Sequence, residues 1–170
     1  AGAGVFLVTA QDGSNLDFAF SADEGQTWQR PTMAGGGRVD LCGAGHPAYG
    51  NGVFVTMSWS SSLSATVVCR SGDGARTWTS TTLPDGIESR PVWTGSEFMA
   101  WSPGKVHRSA DGTTWTTSAT QTRRGSTLSG GPNPGPVAVS AGGTFVAVKG
   151  GWQVWYEQQR FYRSTDGVTW

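Results

Sequence analysis

The sequence has no excess of charge of either sign. Twelve Lys and Arg residues balance twelve Asp and Glu residues over 170 positions. Because nucleic-acid-binding domains usually carry a basic excess, no nucleic acid partner is predicted. Intrinsic disorder is also disfavoured, since it goes with high net charge and few aromatics, whereas aromatic residues make up 11% of this chain.

Long apolar runs and cysteines are scarce as well. No apolar run approaches the roughly 20 residues that a membrane-spanning helix needs, so no membrane span is predicted. Two cysteines, Cys42 and Cys69, are too few for a disulfide scaffold and fit no zinc-ligand spacing. They either form one bridge or remain two buried thiols. His46 and His107 also lack ligand spacing, so no metal and no cofactor are predicted, and we expect His107 to be a half-buried structural residue.

Glycine and tryptophan, in contrast, are abundant, with 26 and 9 copies. This composition excludes a helical bundle and predicts short strands joined by tight turns. Within it, one element of the form Ser-x-Asp-x-Gly-x-Thr-Trp recurs four times, and its last two copies are one residue shorter. We call the copies T1 (21–28), T2 (71–78), T3 (109–115) and T4 (164–170). Their recurring positions are Ser21, Asp23, Gly25, Trp28; Ser71, Asp73, Trp78; Ser109, Asp111, Gly112, Trp115; and Ser164, Asp166, Gly167, Trp170.

The residue types in this element predict a structural turn between two strands. The Asp can accept backbone N–H bonds within the turn, and the Gly supplies a positive φ where the chain reverses. Thr suits the outgoing strand, and Trp fills a large apolar pocket. The alternative, a calcium loop, needs more acidic positions than these copies carry.

A second recurrence precedes each turn and sets a longer period. Phe6, Phe54, Phe98 and Phe145 occupy equivalent positions 48, 44 and 47 residues apart. This spacing predicts units of four strands, which is typical of a propeller. Strand A is a Pro-led segment, strand B carries the Phe, strand C leads into the Ser of the turn, and strand D starts at the Trp of the turn. The units span about 1–33, 34–83, 84–120 and 121–170; the first lacks strand A and the last lacks strand D.

The four turns resemble the Asp-box, or BNR repeat, of sialidase-like β-propellers. The resemblance implies an all-β fold of four-stranded antiparallel blades, forming part of a ring of about six to eight blades that further blades or copies of the chain complete. It also implies that the turns lie on the face opposite any active site, and it favours a secreted or otherwise extracytoplasmic location.

The candidate ligand site therefore lies on the loops at the other end of the strands. The loops between strands B and C carry Trp59, Trp101, Trp152 and Trp155, which could stack on sugar rings or anchor a protein. Trp59 and Trp101 could instead cap the core between units. Glu88 and Arg90, on a loop between strands D and A, could orient an acidic ligand.

An enzymatic role is less well supported by the residues. The Arg-Ile-Pro segment of sialidases is absent, and the A strands are apolar, so no catalytic residue is assigned. The leading hypothesis is a non-catalytic recognition or scaffold module for a glycan or protein surface. The alternatives are a sialidase-like glycoside hydrolase with catalytic residues partly outside this chain, and a purely structural or assembly-factor propeller.

Overall fold

The chain forms an all-β structure. The computed structural model describes residues 2, 4–12, 15–37, 39, 42, 46–87, 89–122, 134–149 and 161–170, with the backbone alone for 10–12, 15–17 and 149. No helix in these ranges is long and apolar enough to cross a membrane. The strands are β1 (Phe6–Asp12), β2 (Asn15–Ser21), β3 (Thr32–Met33), β4 (Ala48–Gly50), β5 (Val53–Ser60), β6 (Ala65–Ser71), β7 (Thr77–Leu83), β8 (Val92–Trp93), β9 (Phe98–Ser102), β10 (Lys105–Ser109), β11 (Thr116–Ala119), β12 (Pro134–Val139), β13 (Phe145–Lys149) and β14 (Phe161–Ser164).

Across the described ranges, these strands form four sheets that follow one another along the chain. Sheet I is β1-β2, sheet II is β3-β7-β6-β5-β4, sheet III is β11-β10-β9-β8, and sheet IV is β12-β13-β14. Neighbouring strands are antiparallel except β3, which pairs parallel to β7. In every sheet the Phe of the recurrence lies opposite the Ser that opens the turn: Phe6 with Ser21, Phe54 with Ser71, Phe98 with Ser109 and Phe145 with Ser164. The four units therefore share one register.

The first unit departs from the expected three strands. After T1, Gln29 exchanges two backbone hydrogen bonds with Phe20, but the next hydrogen-bonded pair of that ladder would place Pro31 opposite Phe18. Proline has no N–H to donate, so the ladder stops. The chain crosses instead to sheet II, where Thr32 N–H donates to the Arg76 carbonyl at 3.0 Å.

The hydrophobic core lies between successive sheets because alternate side chains of each strand point to opposite faces. Phe18 and Phe20 of sheet I pack in one cluster with Trp78 of sheet II. The other two clusters lie between sheets II and III and between sheets III and IV. Sheets II and III are thus covered on both faces, and all five residues of β9 are buried.

Cys42 and Cys69 form a disulfide, the first of the two arrangements left open by the sequence. Both residues are fully buried in the cluster between sheets I and II. The bond joins the segment before β4 to β6, across 27 residues. Structural disulfides form and persist in oxidising compartments.

Reduction of this bond should therefore lower stability. Closing a loop of this length restricts the unfolded chain, and the expected loss is about 3–4 kcal/mol. Urea unfolding with and without dithiothreitol measures the change, and a Cys42→Ser/Cys69→Ser variant should be insensitive to the reductant. An identical unfolding midpoint in both conditions for the native protein would show that the bond contributes nothing.

Candidate functional site

The four turns share one hydrogen-bonding pattern. In each, the Ser hydroxyl donates to the Asp carboxylate, at 2.7 to 2.9 Å. The same hydroxyl accepts the N–H of the residue at the reversal, and the Asp accepts the N–H of the Thr before the Trp. The Trp indole N–H then closes the turn on the carbonyl at the reversal. The carboxylate of the Asp in each turn is therefore hydrogen-bonded within its own turn.

This pattern keeps the turn carboxylates ionised. Hydrogen bonds from Thr27 and Ser21 lower the pKa of Asp23 to about 2. Partial burial raises the pKa of Asp166, but hydrogen bonds from Thr169, Val168 and Ser164 outweigh it and bring the value to about 2. The pKa values of Asp73 and Asp111 are lowered by similar bonds. The carboxylates thus act as ionised hydrogen-bond acceptors that hold each turn in its folded shape.

T3 and T4 also dock onto the preceding sheet. Arg70 Nε of sheet II donates to the Asp111 carbonyl at 2.8 Å, and Arg108 Nη2 of sheet III donates to the Asp166 carbonyl at 3.0 Å. Gly112 lies so close to sheet II that a Cβ there would stand 2.6 Å from Val55. The Arg before the turn and the Gly within it therefore form a repeated link between sheets.

The link between sheets I and II is built differently. Phe20 occupies the position that Arg70 and Arg108 hold in the later units. The Asp73 carbonyl instead accepts a 2.8 Å bond from Arg76 of its own turn, and the Arg76 guanidinium lies 5.8 Å from the centre of the Phe20 ring. A cation–π contact takes the place of the arginine bridge.

The turn carboxylates should make stability pH-dependent. Their folded pKa values lie below the ordinary value of 3.8, so the unfolded chain takes up protons first on acidification. The stabilisation is present above about pH 4–5 and is lost as the pH falls toward 2.

An Asp73→Asn variant should lose about 1–2 kcal/mol at pH 7 and show a flatter dependence of stability between pH 5 and 2. Urea unfolding across this pH range measures both effects. Glu24→Gln, an exposed carboxylate-to-amide change in T1, is the matched control and should behave as wild type. Equal stability of the Asp73 variant at pH 7 would remove the structural role of the carboxylate.

Three of the six predicted ligand-binding residues lie within the described part of the chain, and they differ in exposure. Trp59 is 52% exposed at the end of β5. Trp101 is completely buried, its indole N–H donates to the Gly167 carbonyl at 2.8 Å, and its ring packs against Phe145. The binding role proposed for Trp101 is therefore corrected to a core role, because T4 and sheet IV cover its ring. Arg90 is exposed, whereas Glu88, Trp152 and Trp155 lie outside the described residues.

Trp59 is held at what we call the loop edge, formed by 59–64, 84–87 and the 102–105 hairpin. Thr66, directly opposite Trp59 in the β5–β6 ladder, donates to the Asp85 carbonyl at 2.7 Å and accepts the Ile87 N–H at 3.0 Å. This fixes the 84–87 segment beside the indole, where a Cβ on Gly86 would stand 3.7 Å from the ring. One side of the Trp59 ring therefore lies against the 84–87 segment, and about half of the side chain remains exposed.

Polar and apolar groups accompany Trp59 at this edge. Lys105 forms an ion pair with Asp85, at 2.5 Å, which joins the 84–87 segment to sheet III. Leu63, at the tip of the β5–β6 hairpin, is 52% exposed. In the described ranges, no group of three or more His, Cys, Asp or Glu residues could hold a metal ion. The loop edge therefore presents the exposed side chains of Trp59 and Leu63 together with the Lys105–Asp85 ion pair, and these groups can contact another surface.

His107 is buried more deeply than the sequence suggests. It is fully inaccessible, with Nε2 2.8 Å from the Ser102 hydroxyl and Nδ1 2.9 Å from the Thr117 hydroxyl. Burial lowers its pKa, although the charge of Asp85 acts in the opposite sense. A neutral imidazole that bridges three strands of sheet III is structural, and the expected half-burial was wrong.

Among the described residues, the large exposed apolar side chains fall into three groups, of which sequence reasoning identified only part of one. The loop edge has Trp59 and Leu63. The other two groups lie on the outer faces of the first and last sheets: Phe6, Val8 and Trp28 on sheet I, and Val146, Val148 and Phe161 on sheet IV. The available signal was the run of apolar residues in β1 and β13. Because successive side chains of a strand point to opposite faces, such a run places apolar residues on both faces.

Comparison with known proteins leaves the family open. No family model matches the chain, and no curated protein matches it. Among solved structures, BamB from Moraxella catarrhalis aligns with 86% of this chain at 14% sequence identity and a TM-score of 0.40. The aligned part is 53% of that protein, so the chain spans about half its length.

Proposed function

We propose that the four sheets are blades of an Asp-box β-propeller, and that the chain is a non-catalytic recognition module that binds a protein surface at the loop edge. Three observations support the propeller. Apart from β3, the strands of each sheet follow one another as a meander in chain order, the sheets pack face to face through three separate cores, and the first strands of sheets II to IV are neighbours, since β4 contacts β8 and β8 contacts β12. First strands that meet in this way are expected around a common axis.

The observation that carries the binding role is the exposure of Trp59. Trp78 and Trp101, at the interfaces between sheets, are fully covered, and Trp93 and Trp115 are half-buried. Trp59 remains 52% exposed although the Thr66 bonds fix the segment beside it. A fixed aromatic ring loses little conformational entropy on binding, and tryptophan is enriched among the residues that dominate binding energy in protein interfaces.

The surroundings of Trp59 favour a protein over a glycan. Leu63 adds apolar area, and the Lys105–Asp85 pair provides polar groups at the rim. An apolar centre with a charged rim is the usual composition of a protein interface. A sugar site would instead need several polar groups converging on a concave pocket. Glycan binding is thus the alternative outcome of the test.

The location that fits this role is extracytoplasmic. The buried Cys42–Cys69 bond supports it, because such bonds persist where thiols are not kept reduced.

Replacement of Trp59 by alanine should weaken binding and leave the fold intact. The probes are a display library of random dodecapeptides, selected on the wild-type protein, and an array of defined oligosaccharides. For the selected peptides, Trp59→Ala should weaken binding at least about tenfold, as removal of an interface hot spot does. Trp28→Ala, which removes an indole of similar exposure on the outer face of sheet I, should bind as wild type.

The outcomes separate the hypotheses. Equal peptide binding by wild type and Trp59→Ala would overturn the proposed site, and Trp59-dependent retention on the oligosaccharides alone would replace the protein by a glycan. Trp101→Ala should instead lose about 3–5 kcal/mol of stability, because it opens a cavity in the core. Release of a fluorogenic sialoside leaving group, lost on Arg90 substitution, would favour the hydrolase.

A further inference from the structure

The outer face of sheet IV repeats the face that sheets II and III use against their successors. In the β13–β14 ladder, Val146 pairs with Arg163 and Val148 with Phe161. The equivalent pairs in sheet III are Met99 with Arg108 and Trp101 with Val106, and in sheet II they are Val55 with Arg70 and Met57 with Val68. In sheets II and III these apolar residues are at most 7% exposed, because the next sheet covers them.

On sheet IV the same positions are open. Val146 is 46% exposed, Val148 is 40% exposed and Phe161 is 70% exposed. Arg163 is exposed as well, and it stands where Arg70 and Arg108 reach across to the Asp carbonyl of the following turn. Sheet IV therefore presents an apolar face with an arginine in the position that binds a Ser-x-Asp turn.

Sheet I presents the complementary surface. Phe6 is 44% exposed, whereas Phe54, Phe98 and Phe145 at the same position are at most 5% exposed against the preceding sheet. Trp28 of T1 is 46% exposed, whereas its equivalent Trp78 is fully buried. A Cβ on Gly25 would meet only Trp28 of its own turn, whereas Gly112 and Gly167 lie against the preceding sheet.

T1 also retains the acceptor that the later turns use. The carbonyls of Asp111 and Asp166 accept an arginine from the preceding sheet, and that of Asp73 accepts Arg76 from its own turn. T1 has Gln26 at the position of Arg76. The Asp23 carbonyl accepts the Gln26 backbone N–H at 3.2 Å, and its second lone pair is left for an arginine from outside. The Asp23 carboxylate beside it adds negative charge.

We infer that the outer face of sheet IV binds the outer face of sheet I in a second copy of this chain, with the Arg163 guanidinium donating to the Asp23 carbonyl. Phe6 and Trp28 of the second copy cover Val146, Val148 and Phe161. The internal interfaces identify the occupant, because the same register positions already bind a sheet of this kind within the chain. Two such contacts, related by a two-fold axis, close two copies into a ring of eight sheets, within the range of known propellers.

The first test is the mass of the purified chain in solution, by sedimentation velocity at roughly 1–100 µM, a range that covers ordinary dimer affinities. The expected mass is twice 17.8 kDa. Arg163→Ala should weaken the dimer roughly tenfold or more, as loss of a charge-assisted hydrogen bond does, and Phe161→Asp should abolish it. Lys105→Ala, at the loop edge, is the control and should leave association unchanged.

Folding of each variant is checked by its urea midpoint at a protein concentration low enough for the wild type to be monomeric, since dimerisation would raise the midpoint of the wild type alone. At that concentration the midpoints should match, because the substituted side chains are exposed in the monomer. A wild-type protein that stays monomeric throughout the range overturns the inference. So does a dimer that is unaffected by both sheet IV substitutions.

A cross-linking test identifies the surfaces. Arg163→Cys and Gln26→Cys are made in separate chains, mixed, and oxidised; a disulfide-linked heterodimer is expected. A mixture of Arg163→Cys with Leu63→Cys, which places the thiol at the loop edge, should not form one. Equal cross-linking of both mixtures, or cross-linking of neither, overturns the proposed pairing. None of these readouts depends on ligand binding at Trp59.

Discussion

The fold depends on one repeated contact, in which a turn presents a backbone carbonyl to the sheet before it. In sheets II and III an arginine one residue before the turn's serine reaches the Asp carbonyl of the following turn. The same Asp uses its carboxylate within its own turn. One residue thus fixes the local reversal through its side chain and the neighbouring sheet through its backbone. Only a small residue with positive φ fits beside it, which explains the glycines at 112 and 167.

This contact constrains the structure at the end of the strands where the turns lie. Because T3 and T4 form hydrogen bonds both within themselves and with the preceding sheet, substitutions there affect both local structure and sheet packing. The opposite end carries loops anchored by separate bonds, such as those of Thr66 to the 84–87 segment. Trp101 and Trp59 illustrate the difference. Trp101 lies where T4 reaches back over sheet III, and Trp59 lies two positions beyond the equivalent Met57, past the edge of that cover. The indole of Trp59 stays exposed because it lies beyond the docking contact.

Sequence reasoning predicted the turns and the strands that flank them because their determinants are local. The side chains of Ser, Asp, Thr and Trp at fixed offsets make their hydrogen bonds within the eight residues of the turn. Features that depend on a neighbouring sheet could not be obtained in this way. Nothing near Trp101 in the sequence indicates that Gly167 will accept its indole N–H. The pairing of Cys42 with Cys69 and the full burial of His107 likewise depend on contacts between strands. Pro31 is a sequence signal that the chain leaves sheet I before β3. The signal can be read only when the pairing of Phe20 with Gln29 is known, and that pairing is a contact between strands.

The interface between sheets I and II shows how the molecule compensates when the repeated contact is missing. Sheet I has only two strands, and a two-stranded hairpin is marginally stable on its own. It also has Phe20 in place of the arginine. Three other interactions concentrate at this interface: the Arg76 guanidinium over Phe20, the parallel β3–β7 pairing, and the buried disulfide in the same cluster. Sheet I is thus attached by packing, the cation–π contact and the parallel strand, and the disulfide holds the sheet II side of the same cluster. Sheets III and IV add the arginine link to cores of their own. An arginine on an outer face is therefore the feature that marks a surface built to receive another turn.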